Sequence, residues 1–156
     1  MGEPLEHLRW ARRRLESLGK VVKSSSLYRT APVGGPEGQP DYLNAVVALN
    51  PKTPEPETLL GRLLRLESER GRERNVRWGA RTLDLDLLTF GEEVRASDFL
   101  TLPHPRMMER AFVLEPLCEV VREVAPDWRH PLTKERACTS RGHPNNGIIR
   151  TDLTWT

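Results

Sequence analysis

Apolar residues recur at helical spacing near the start of the chain: Leu5, Leu8, Ala11, Leu15 and Leu18. These positions share one face of a 3.6-residue helix, so a helix is predicted over residues 4–18, with Gly19 as its natural stop. Residues 21–29 read as a strand that includes Ser24 to Ser26. Residues 32–40 (PVGGPEGQP) are turn formers, too many for a tight hairpin. Residues 42–49 read as a second strand centred on Val46 and Val47, ended by Pro51, Pro54 and Pro56. Leu59, Leu60, Leu63, Leu64 and Leu66 predict a helix over residues 56–70. A charged loop over 71–79 follows, then a strand over 83–90 (LDLDLLTF) stopped by Gly91. After Pro103 a mostly helical stretch reaches about Val124, with a break expected near Pro116. Residues 134–156 show no clear periodicity.

The order α-β-β-α-β-α resembles a β-α-β-β-α-β ferredoxin-like unit without its first strand. The expected class is therefore α+β: a ferredoxin-like α/β sandwich with an antiparallel-containing sheet, short of that strand. The missing strand should precede Pro4, which suggests that Met1 is not the true start. The Ile148–Ile149 region is an alternative filler of the gap.

The chain has 156 residues, 37% hydrophobic and 29% charged. That is enough for one domain, placed at residues 1–133 with an atypical tail at 134–156. No apolar run approaches the roughly 18 residues of a membrane span. The first ten residues lack an apolar signal region, and two cysteines are too few for a disulfide scaffold. A cytoplasmic protein is expected. Cys118, near Leu114 and Leu117, reads as a packed thiol. Cys138 and His143 lack the further ligands a zinc site needs.

Net charge is only +2, with 24 basic against 22 acidic residues, which excludes a nucleic-acid-binding tail. Twenty of the 24 basic residues are Arg, spread along the chain as a composition bias would spread them. The local feature is Arg70, Arg72, Arg74, Arg77 and Arg81 within twelve positions.

The sharpest chemistry lies in Leu83-Asp84-Leu85-Asp86-Leu87. On a strand, Asp84 and Asp86 share one face and the leucines the other. Their Cα atoms would be about 6.6 Å apart, a suitable reach for carboxylates that bridge hard cations. Mg²⁺ takes one or two carboxylates plus substrate phosphates. Alternation alone fits an exposed acidic face equally. The upstream arginines and Trp78 favour a nucleotide triphosphate, although no P-loop is present. Glu67 falls on the apolar stripe of its helix, where it either finds a partner or marks the polar helix end.

Residues 78–88 (WGARTLDLDLL) resemble the signature of the 6-hydroxymethyl-7,8-dihydropterin pyrophosphokinases of folate biosynthesis. So do, in order, Tyr28-Arg29-Thr30, residues 39–44 (QPDYLN), Glu67 with Gly71-Arg72-Glu73-Arg74, and Leu102-Pro103-His104-Pro105 with Arg110 and Phe112. The resemblance covers about residues 4–127. It implies transfer of diphosphate from ATP to the hydroxymethyl oxygen of a reduced pterin, releasing AMP. It implies two Mg²⁺ ions held by Asp84 and Asp86, with Arg72 and Arg81 neutralising the transferring charge. Arg74 would lie on a mobile loop closing over ATP. Glu67, Trp78, Arg81, Leu87, Thr101, His104 and Arg110 match nucleotide-contacting positions. The pterin would stack between Tyr42 and Phe112 near Trp78, its polar edge read by Asn44 with groups around Thr30, Pro32 and Val33.

Each of these residues has a plainer reading. Tyr42 and Phe112 alone would be core, His104 a loop residue and Arg110 a solvated charge. The ordered set of motifs outweighs those readings. Pro105, the loop lengths and the tail depart from many relatives. Two alternatives stand beside this reading: a family member made inactive by loss of the first strand, and a non-enzymatic RNA-binding module. No strand here carries the RNA-recognition motif. The expected partners are thus ATP and a reduced pterin, with neither nucleic acid nor membrane.

Overall fold

A computed structural model describes residues 4–30, 41–73, 83–138 and 148–155, the side chains of Arg72 and Glu73 excepted. It is α+β, with three α-helices and short antiparallel strand pairs. In chain order these are α1 (Pro4–Leu15), β1 (Gly19–Ser24), β2 (Tyr28–Thr30), β3 (Tyr42–Asn44), β4 (Val47–Pro51) and α2 (Pro56–Glu73). There follow β5 (Arg95–Ala96), β6 (Thr101–Leu102), a 3₁₀ turn (Met107–Glu109), α3 (Ala111–Val124) and β7 (Ile148–Arg150). The strands form three sheets, β1-β4, β3-β2-β7 and β5-β6. No helix among the described residues is long and apolar enough to cross a membrane.

The chain divides into two compact units. The first comprises Met1–Val21, Leu49–His104 and Trp155–Thr156. Its core joins Trp10, Ala11, Leu15 and Leu18 to Leu59, Leu63 and Leu66 of α2, with Leu83, Leu100 and Leu102. Helix α2 opens with Pro56 at its first position, where a missing N–H costs nothing. Its buried stripe runs Leu59, Leu63, Leu66, Arg70, while Leu64 is exposed. Arg70 is buried because it is paired: its Nε donates to His7 Nδ1 at 2.8 Å, and its guanidinium lies 5.3 Å over the Trp10 ring. Arg14 lies 5.0 Å over the same ring and ion-pairs with Glu69 at 2.6 Å. An aromatic face and hydrogen bonds together offset part of the cost of burying a guanidinium.

The second unit comprises Val22–Ala48 and Pro105–Thr154. Strand β2 is the middle strand, paired Thr30↔Tyr42 on one side and Thr30↔Ile148 on the other. Helix α3 packs on β2 and β3, burying Ala111, Leu114, Leu117, Cys118, Val120 and Val121.

Several expectations are corrected. The strand expected over 21–29 is two strands, because the serines between them bond elsewhere. Ser25 N–H donates to the Val46 carbonyl at 2.8 Å, its Oγ accepts from Val46 N–H at 2.9 Å, and Ser26 bonds to Glu119. Such side-chain bonds compete with a continuous ladder. The strand expected over 42–49 divides likewise into β3 and β4. From Leu83 to Asp86 the in–out alternation holds, with Leu83 buried and Asp84 and Asp86 exposed, but residues 83–90 pair in no ladder among the described residues. Backbone bonds tie the segment from Leu85 N–H to Glu67 and from His104 N–H to the Leu88 carbonyl. Helix α1 ends at Leu15, sooner than expected, and turns over residues 16–18. Helix α2 runs on to Glu73, so the expected charged loop begins as helix. Pro116 does not break α3; buried inside it, it removes only the bond to the Phe112 carbonyl. Cys118 is buried but not a thiol: it is disulfide-bonded to Cys138, with Cα atoms 5.0 Å apart. Within the tail, whose sequence shows no clear periodicity, β7 pairs with β2 and Trp155 is buried.

Gly19 begins β1 with its backbone against Asn50, so that a Cβ would collide with the Asn50 carbonyl oxygen. Gly19→Ala should therefore destabilise the protein by about 1–3 kcal/mol, as overpacking against rigid backbone does. At this chain length each kcal/mol lowers the thermal midpoint by roughly 2–4 °C. An unchanged midpoint would show that the β1-β4 contact yields freely.

Candidate active site

The acidic pair belongs to the first unit. Leu83 is buried, and Leu85 and Leu87 are half-buried; Asp84 and Asp86 on the alternate positions are exposed. The segment is anchored from α2, where Glu67 Oε2 accepts the Leu85 N–H at 2.5 Å. Leu85 lies between the two aspartates, so this bond fixes the backbone from which both project. Glu67 thus has a partner, which removes the reading of it as a mere polar helix end. His104, half-buried, ties its N–H to the Leu88 carbonyl at 2.8 Å, and Thr101 lies exposed on β6. The backbone of Arg72 is in the last turn of α2. Arg74, Trp78 and Arg81 lie outside the described residues. Among the described residues no group of three or more His, Cys, Asp or Glu side chains could hold a metal alone. Two exposed carboxylates still suit a cation that takes its other ligands from phosphate and water.

The second unit holds the other group. Thr30 on β2 is buried, and its Oγ1 accepts from Asn44 Nδ2 at 3.0 Å. That bond orients the Asn44 amide, which keeps its carbonyl oxygen and one N–H for a ligand. Tyr42, on β3 with Asn44, is 53% exposed, so it is not core. Phe112, in the first turn of α3, is half-buried, with the Arg110 guanidinium 5.6 Å over its ring. Arg110 is therefore engaged by an aromatic ring. Pro32 and Val33 lie outside the described residues.

One residue of this unit escaped sequence reasoning. Glu119, on α3, accepts the Tyr28 hydroxyl at 2.7 Å through Oε1. Its Oε2 accepts the Ser26 N–H at 2.9 Å and the Ser26 hydroxyl at 3.0 Å, and Arg150 of β7 reaches within 3.9 Å. Burial alone pushes this carboxyl up, but the Tyr28 hydroxyl, both Ser26 donors and Arg150 outweigh it and hold it below the usual carboxylate range. Burial and the hydrogen bond to Glu119 push the Tyr28 phenol well above its usual range. The available signal was a carboxylate set between Cys118 and Val120, beside the buried positions of α3.

The sum is an α+β protein with an exposed acidic pair anchored by a helix glutamate, and an aromatic ring and an amide on one strand, β3, beside the threonine of β2. The family model of the 7,8-dihydro-6-hydroxymethylpterin-pyrophosphokinases (HPPK) matches residues 1–122. The chain belongs to this family. It is 41% identical over 126 residues to the 2-amino-4-hydroxy-6-hydroxymethyldihydropteridine pyrophosphokinase of Haemophilus influenzae, covering 80% of this chain and 78% of that one. The enzyme of the same name from Pseudomonas aeruginosa is 41% identical over 145 residues, 91% of this chain and 88% of its own. That from Bacillus subtilis is 47% identical over 104 residues, 67% and 61%.

Two outcomes follow from these bonds. Hydrogen bonds to charged groups contribute about 1.5–3 kcal/mol, so Glu67→Ala should speed amide exchange at Leu85 by roughly ten- to a hundredfold. Unchanged exchange would mean the bond does not hold the segment. Glu119, with a depressed folded-state pKa, contributes stability above its unfolded value and loses it as pH falls through the folded one. The stability gap between the wild type and Glu119→Gln, followed by urea unfolding, should be full at pH 7 and narrow below the ordinary 4.5. A gap constant down to pH 3 would refute this.

Proposed function

We propose that this chain carries out the reaction of its family: ATP-dependent transfer of diphosphate to the hydroxymethyl group of 6-hydroxymethyl-7,8-dihydropterin, releasing AMP, in tetrahydrofolate biosynthesis. Family membership across residues 1–122 carries the reading. The exposed pair Asp84 and Asp86, fixed from Glu67, supports it chemically. A cytoplasmic setting belongs to the same reading.

Asp84 and Asp86 would hold two Mg²⁺ ions, which when bound neutralise phosphate charge and orient the chain of phosphates. Such a transfer needs positioning and charge neutralisation rather than a covalent nucleophile. Arg72 and Arg81 would complement the charge on the transferring group, and Arg74 the phosphates of ATP. Glu67, Trp78, Leu87, Thr101, His104 and Arg110 would line the nucleotide. Asn44, oriented by Thr30, would read the pterin's amide-like edge, with groups around Pro32 and Val33. Tyr42 and Phe112, with Trp78, would take its flat faces, where ring pairs contribute roughly 0.5–1.5 kcal/mol beyond area burial.

The same reading places residues 1–133 in the pyrophosphokinase domain and 134–156 in a C-terminal segment. It makes the fold ferredoxin-like, with residues 83–90 as a strand whose ladder partner is not among the described residues. Their alternating exposure supports that assignment.

The test is Mg²⁺-dependent formation of AMP from ATP, required to depend on the hydroxymethyl dihydropterin. Asp84→Ala or Asp86→Ala should reduce turnover far more than tenfold, about 1.4 kcal/mol of barrier, with unchanged circular dichroism. Activity within tenfold of the wild type would remove the metal role.

A further inference from the structure

We infer that Glu119 is a positioning residue for the pterin site, holding the helix that carries Phe112 to the strand that carries Thr30. The inference rests on the pterin reading above and concerns one unit of the chain throughout.

Glu119 is itself no reader of ligand: its oxygens are occupied by the Tyr28 hydroxyl and by the N–H and hydroxyl of Ser26. Those two residues bracket the entry to β2. Two residues beyond Tyr28 comes Thr30, which orients the Asn44 amide at 3.0 Å. On the helix side, Phe112 lies seven residues before Glu119. Seven residues are nearly two whole turns, so both side chains leave α3 from nearly the same face. The face that binds β2 through Glu119 therefore carries Phe112 about two turns, roughly 10 Å, away. Helix α3 also packs on β3, which carries Tyr42 and Asn44. The spacing between an aromatic wall on α3 and the amide reader on β3 thus depends on where α3 is clamped. Three directional bonds to one carboxylate define that point, whereas apolar packing alone permits sliding.

The experiment measures KM for the pterin, KM for ATP, kcat and thermal midpoint for the full chain and its variants. Glu119→Gln should raise the pterin KM at least tenfold, with the ATP KM within about twofold and kcat within about threefold. Tyr28→Phe, which removes one bond to the carboxylate, should move the same constant in the same direction by less. The double variant should fall short of the product of the two effects, since both remove one bond. A lowered midpoint with an unchanged pterin KM would make Glu119 merely structural and overturn the inference. So would equal increases in both KM values. If Glu119→Gln does not fold, Tyr28→Phe decides by the same readout. Tyr42→Ala and Phe112→Ala are controls for the underlying reading. If neither weakens pterin binding, that reading fails and the inference falls with it. If they weaken binding and the Glu119 and Tyr28 variants do not, only the inference fails.

Discussion

Backbone donors without a ladder partner are the constraint on which this fold depends. Its strands are short: β2, β3 and β7 have three residues each, and β5 and β6 two. Segments of this length leave N–H groups at their ends that a larger sheet would pair. Buried and unpaired, each would cost about 1–3 kcal/mol. The chain meets the need twice with a glutamate on a helix. Glu67 of α2 takes the Leu85 N–H, and Glu119 of α3 takes the Ser26 N–H. In each case the carboxylate accepts a backbone donor and links helix to extended chain.

The consequence for chemistry is that the candidate site residues rest on these links. Asp84 and Asp86 need no contact of their own with the core, because Leu83 packs beneath them and Leu85 is held from α2. Both remain exposed. Asn44 has one amide hydrogen committed to Thr30. A committed amide is an oriented one, and orientation is what discrimination between a donor and an acceptor edge requires. Tyr42 stays half in water with no internal partner needed for its ring.

Much of this could be read from residues. The Leu-Asp-Leu-Asp-Leu alternation correctly gave one buried face and one exposed acidic face, because period two depends only on extended backbone. Both long helices were legible from their apolar stripes. What failed had a common cause. Whether an extended segment becomes a strand depends on a partner elsewhere in the chain, which residues 83–90 lack among those described. The serines at 24–26 read as strand, yet β1 ends at Ser24, where the Ser25 hydroxyl takes the Val46 N–H and Ser26 turns to the Glu119 carboxylate. Glu119 and Cys118 were hidden in an apolar helix pattern, because their partners lie far away in sequence, at Tyr28 and Cys138. Long-range polar pairing leaves no periodic trace.

The C-terminal segment shows how far such pairing reaches. It lies beyond residue 122, where the family match ends, and shows no periodicity of its own. A three-residue strand does not persist alone, so its order must come from what it docks on. Ile148–Arg150 pairs with β2, Thr151 donates through N–H and Oγ1 to the Leu27 carbonyl, and Arg150 approaches Glu119. Cys138 is joined to Cys118, the residue next to Glu119. A bridge spanning 20 positions restricts the unfolded chain by about 3 kcal/mol on the loop-closure account. These ties converge on β2 and on the turn of α3 that carries Glu119. The docking of the segment is therefore physically coupled to the strand whose Thr30 orients the Asn44 amide.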